Sequence, residues 1–68
     1  MRLSARNQIA GTVKAIKLGG VMAEIVVEIA GNQELVSVIT RDSAEGLGLQ
    51  VGDTVTVIIK STEVMLGK

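Results

Sequence analysis

From Gln8 onward the chain alternates. Ile9, Gly11, Val13 and Ala15 fall on odd positions, with Gln8, Thr12 and Lys14 between them. A repeat of two puts one set on each face of a β-strand, so the pattern predicts a half-buried strand from Ile9 to about Leu18. Gly19-Gly20 then predicts a tight turn, with positive φ open to both glycines. Val21, Ala23, Ile25, Val27 and Ile29 share one face of a second strand, opposite Met22, Glu24 and Glu28. Gly31-Asn32 closes a second hairpin, and a third strand follows from about Gln33 to Thr40. Its two faces, Leu35, Ser37, Ile39 and Val36, Val38, both carry apolar residues. Such a strand has protein on both sides or lies at a subunit interface.

Thr40-Arg41-Asp42-Ser43 breaks the alternation. Thr40 suits a helix N-cap and Asp42 the first turn, with Gly46 or Gly48 ending a short helix. After a turn at Gly52-Asp53, Thr54–Lys60 predicts a fourth strand with Val55, Val57 and Ile59 on one face. Ser61–Leu66 predicts a shorter fifth, in which Thr62, Val64 and Leu66 alternate with Ser61, Glu63 and Met65. No internal repeat or linker interrupts the chain, and residues 1–68 read as a single domain. Three strands, a short helix and two more strands give an all-β expectation: a small five-stranded OB-like Greek-key barrel with one short helix between strands 3 and 4.

Composition sharpens this picture. Val and Ile supply 17 of the 68 residues and Thr five more, the β-branched set favoured in strands. Hydrophobic residues make up 47%, yet there is no aromatic residue and no cysteine. A domain this small buries only about 60% of the surface its unfolded chain exposes, and here neither disulfides nor large rings reinforce it. The apolar excess on so small a body therefore predicts a homo-oligomer. The apolar runs are far too short to span a bilayer, and no charged segment leads into an apolar one, so no membrane association is expected and the cytoplasm is.

Charge and residue inventory exclude more. Seven Lys and Arg balance seven Asp and Glu, leaving net +0. A nucleic-acid binder shows a basic footprint, and a single-strand binder adds stacking aromatics; both are missing. With no His and no Cys, the commonest general base and the usual transition-metal ligands are gone. Glu24 and Glu28 lie on one strand face, which is the ordinary pattern of a solvated sheet. No spacing matches a catalytic triad, a P-loop or a metal site, and an enzyme is not expected.

Three polar clusters remain: Ser4-Ala5-Arg6-Asn7-Gln8, Thr40 with Ser43, and Lys60-Ser61. Each alone has an everyday use, as a fraying arm, a capping pair or a solvated strand end. Together they offer two cations, several hydroxyls and backbone N–H groups, with Asp42 the one carboxylate. That inventory suits a small, fully ionised oxyanion, which accepts hydrogen bonds and donates none.

The same residues carry a resemblance. Ser4-Ala5-Arg6-Asn7-Gln8 followed by Ile9, Gly11 and Val13 resembles the opening of the molbindins, small molybdate-binding proteins. The likeness continues through Gly20-Val21-Met22-Ala23-Glu24, Ile39-Thr40 with Ser43, Leu47-Gly48-Leu49, Gly52 and Lys60-Ser61. It implies an OB-like barrel assembled as a homohexamer, a trimer of dimers with swapped elements, holding molybdate or tungstate between subunits for storage, buffering or delivery. No organic cofactor and no catalysis are implied. The matching site residues are Ser4 and Arg6 from one chain, with Thr40, Ser43, Lys60 and Ser61 from a neighbour. A second class of site, dominated by main-chain groups, is implied at Gly19, Gly20 and Val21. The alternative function for such a barrel is binding nucleic acid or an oligosaccharide, since the fold by itself does not choose.

Overall fold

A 12-residue first strand organises everything else. In the computed structural model, which describes residues 1–68, β1 runs Asn7–Leu18. It is joined by β2 (Met22–Ile29), β3 (Gln33–Thr40), a short helix α1 (Arg41–Gly46) and β4 (Thr54–Ile59). The four strands form one antiparallel sheet in the order β3-β2-β1-β4. The N-terminal half of β1 pairs with β4, from Asn7↔Ile59 to Thr12↔Thr54. Its C-terminal half pairs with β2, from Thr12↔Glu28 to Leu18↔Ala23. Handing a long strand from one partner to the other at Thr12 bends the sheet around its inner face.

A bulge marks the handover. The register with β2 shifts between Val13 and Ala15, leaving Lys14 as the extra residue, and Lys14 reaches Glu28 at 3.1 Å. A bulge advances the pleat by one residue, so the inward phase switches from odd to even positions. Val13 is 1% exposed and Ile16 packs on the core, while Ala15, grouped with Val13 by the alternation, is exposed. The core is small: Val13, Ala23, Ile25, Val27 and Ala44 are the buried residues.

The turns follow local chemistry. Gly31 and Asn32 take φ of 76° and 58°, the left-handed pair expected of a glycine-asparagine hairpin. The first hairpin differs from expectation. Neither Gly19 nor Gly20 has left-handed φ, and β2 begins at Met22 rather than Val21. The turn closes instead through the Gly19 N–H, which donates to the Met22 carbonyl at 2.7 Å. A Cβ on Gly19 would sit 2.9 Å from that same oxygen, so space rather than φ calls for glycine there. At the end of α1, the Gly48 N–H donates to Glu45 O and the Leu49 N–H to Ala44 O, with Gly48 at φ 64°. This is a Schellman stop, and it folds Leu49 back onto the core.

The expected fifth strand is absent from the chain. Ser61–Glu63 forms a single 3₁₀ turn, and the residues after it have no regular structure. The alternation at 61–66 is genuine but finds nothing to pack on: Met65 and Leu66 are 91% and 96% exposed. The architecture is thus mostly β with one short helix and four strands, and the sheet is open between β3 and β4.

Gly11 gives the sharpest test of this packing. A Cβ there would lie 2.5 Å from Val27 Cγ1 and 2.8 Å from the Glu28 carbonyl oxygen. Gly11→Ala must push β1 off β2, and is expected to cost about 1–3 kcal/mol. Urea unfolding measures it; an unchanged midpoint would show that the two strands separate there freely.

Candidate functional site

Thr40 and Ser43 are joined by the helix start. The Ser43 N–H donates to Thr40 Oγ1 at 3.0 Å, and the Thr40 hydroxyl donates to Ser43 Oγ at 2.7 Å. Thr40 is therefore the N-cap, as its residue type suggests. Each hydroxyl of this pair is both donor and acceptor, so one can turn its proton outward while accepting from the other. Both residues are exposed. The turn Gly19–Val21 lies beside them, because Met22 pairs with Thr40 and the Arg41 N–H donates to Val21 O at 2.8 Å.

Ser4, Lys60 and Ser61 meet at the other end of β1. With Ala5, Ile58 and Thr62 they line an open groove of about 460 Å³. The arm is held to β1 where Gln8 Nε2 donates to the Ala5 carbonyl at 2.6 Å. The ion pairs of the chain, Lys14–Glu28 and Arg41–Glu45, involve neither Arg6 nor Lys60, so both cations of this end are uncompensated. No group of three or more carboxylates is placed to hold a cation.

The six residues thus fall into two sets. Ser4, Arg6, Lys60 and Ser61 stand where Asn7 pairs with Ile59, and Thr40 and Ser43 stand where Leu18 pairs with Ala23. Eleven residues of strand separate those two levels, a contour length of roughly 35 Å at about 3.3 Å per residue, which the bulge and bend of β1 shorten. One copy of the chain does not bring Lys60 to Thr40; a single small ion touching both needs two copies. Arg41 escaped the sequence reading. Its i,i+4 pairing with Glu45 was legible, but its guanidinium also donates to Gly19 O at 3.2 Å, a partner 22 residues away.

Fold and site together define the class: a small, open, antiparallel β domain that carries hydroxyls and cations at opposite ends of its long first strand. Comparison with known proteins agrees. A TOBE domain family model matches residues 3–66. Molybdenum-pterin-binding protein 3 of Clostridium pasteurianum is 52% identical over 66 residues, covering 97% of both chains. The solved structure of a molybdate-binding protein from Sporomusa ovata superposes with a TM-score of 0.93 at 46% identity, with 100% of each chain covered. The cytoplasmic molybdate-binding protein ModG, solved with molybdate bound, gives 0.85 at 41% identity over 90% of this chain and 43% of its own. The chain belongs to the TOBE-domain family, and its small relatives there are molybdenum-pterin-binding and molybdate-binding proteins.

Proposed function

We propose that this chain binds molybdate, and tungstate equally, between copies of itself, as a cytoplasmic store or carrier of the oxyanion. The observation that carries the reading is the groove where Ser4, Lys60 and Ser61 converge, with Arg6 and Lys60 outside the chain's ion pairs. Charge-assisted hydrogen bonds are worth about 1.5–3 kcal/mol each, so four or five offset the ordering costs of a site worth about 8 kcal/mol, the micromolar range. Nothing in this scheme calls for catalysis or an organic cofactor, and residues 1–68 act as one binding unit.

Assembly is part of the proposal, and the exposed surface supports it. The chain exposes 5445 Å², against about 4,100 Å² for a compact monomer of its mass. Its radius of gyration is 12.4 Å, against about 11 Å expected. Val36 and Val38 on the open edge strand β3 are 62% and 60% exposed. A homohexamer built as a trimer of dimers covers this surface, and its subunits close one another's barrels with the 61–66 segment as the fifth strand.

Isothermal titration with molybdate tests the reading; no heat at millimolar ligand sinks it. Competition sharpens the test. Near pH 7 phosphate keeps a proton, while molybdate, tungstate and sulfate are bare dianions. In a cage of donors that proton faces another donor, an unmet pair costing about 1–3 kcal/mol. Sulfate escapes this filter but is too small for rigid subunits to close upon. The expected order is molybdate and tungstate together, then sulfate, then phosphate. Phosphate displacing molybdate at comparable concentration would refute the donor-only cage.

A further inference from the structure

We infer that Arg41 is a positioning residue that turns the Gly19–Gly20 peptide so that its N–H, and not its carbonyl, faces an incoming oxyanion. The inference rests on the molybdate reading above and concerns the main-chain site that the resemblance implies at Gly19–Val21.

Arg41 ties two backbone carbonyls and one carboxylate together. Its own N–H donates to Val21 O at 2.8 Å, its Nη1 to Gly19 O at 3.2 Å, and its Nε to Glu45 Oε1 at 2.8 Å. The carbonyls on both sides of Gly20 are therefore committed to one residue. The Gly19 carbonyl and the Gly20 N–H belong to the same planar peptide unit and point in opposite directions. Fixing the oxygen on the guanidinium fixes the N–H away from it. No acceptor in the chain receives the N–H of Gly20 or of Val21, so this turn presents donors without partners.

Glycine makes the clamp necessary. A Cβ at Gly20 would meet nothing within 4 Å, so no packing around that position restrains the peptide. Glycine populates both signs of φ, so an unclamped unit is free to rotate and present its oxygen to the ligand. An oxyanion facing a carbonyl is repelled where it should be bound. Glu45 has a matching part: it takes the guanidinium's Nε and holds the arginine against the turn instead of over the ligand. Arg41 thus works through the orientation of a neighbour's dipole, and its charge is already balanced.

Amide NMR of the intact oligomer separates the outcomes, with Arg41→Ala and Arg41→Gln as variants. Glutamine keeps a donor for Gly19 O and drops the charge. In the absence of ligand, wild type is expected to give one sharp Gly20 amide signal. Arg41→Ala should broaden or double it while the strand amides stay put, and Arg41→Gln should restore it. With molybdate, wild type should shift the Gly20 amide, and Arg41→Ala should weaken that response about two- to tenfold, the worth of one hydrogen bond. Arg41→Gln should recover most of it. An unchanged Gly20 signal in ligand-free Arg41→Ala overturns the inference, as does a glutamine variant as weak as alanine, which would make Arg41 a direct charge partner. Molybdate shifts at Lys60 without any at Gly20 also overturn it, while leaving the proposed function standing. Molybdate shifts nowhere in wild type would instead end the proposed function, and the ligand-free spectra would still decide the clamp.

Discussion

Lys60→Ala is expected to weaken molybdate binding by about ten- to a hundredfold, the largest loss for any single side chain of the site. The reason is charge. A dianion withdrawn from water between two protein surfaces needs compensation, and at this end of β1 Arg6 and Lys60 are cations outside the chain's ion pairs. A charge-assisted hydrogen bond contributes about 1.5–3 kcal/mol, and breaking it leaves the oxyanion undercompensated in a medium less polar than water. Lys60 also stands on firmer ground than Arg6. It follows directly on β4, whose Ile59 is paired with Asn7, and its carbonyl accepts the Glu63 N–H at 2.9 Å. Arg6 sits in an arm whose recorded side-chain tether is the bond from Gln8 to Ala5. Ser61→Ala removes only a neutral hydroxyl and leaves the backbone N–H in place, so its effect is expected to be several times smaller. Titration calorimetry at constant ionic strength ranks the variants. Equal affinities for Lys60→Ala and wild type would move the oxyanion out of this groove.

What the sequence could disclose was local. The Gly31-Asn32 turn, the Thr40 cap and the Gly48 stop each depend on residues within five positions of one another, and all appear in the structure. The bulge at Lys14 was not legible as such. Ala15 and Ile16 are both apolar, so either phase fits the composition, and only pairing with Val26 and Ile25 chooses. The 61–66 segment shows the limit of periodicity from the other side. Alternation records which face of a segment is suited to burial, not whether the same chain supplies the surface that buries it. The site divides in the same way. Thr40 with Ser43 could be read from an i,i+3 spacing at a helix start, whereas the contact of Arg41 with Gly19 spans 22 residues and required the hairpin geometry. Nor does spacing reveal which clusters share an end of a long strand. Carried over by resemblance, Lys60 and Ser61 were grouped with Thr40 and Ser43 on one neighbour. Within one copy of the chain, Lys60 and Ser61 line a groove with Ser4.

Mixed oligomers turn that last difference into a count. Two chains are needed, one with Lys60→Ala and the other with both Thr40→Val and Ser43→Ala. On the proposed arrangement, in which the side-chain site takes a Lys60 end from one copy and a Thr40 end from another, each alone should lose tight molybdate binding at that site. In an oligomer assembled at random from equal amounts, a site recovers when its Lys60 end comes from the hydroxyl-less chain and its Thr40 end from the Lys60→Ala chain. Each choice is made half the time, so about a quarter of the tight sites should return. If one copy supplied Lys60, Ser61, Thr40 and Ser43 together, every such set would carry a defect and mixing would restore nothing. Loss of the Thr40 cap costs the short helix about 0.5–2 kcal/mol, so folding is a fair concern for the second chain. Native mass spectrometry answers it by showing mixed oligomers directly. Confirmed mixing with no recovered sites would return the Lys60 and Thr40 ends to a single subunit. Recovery near a quarter would mean that the length of β1 is what obliges this protein to bind its ligand in company.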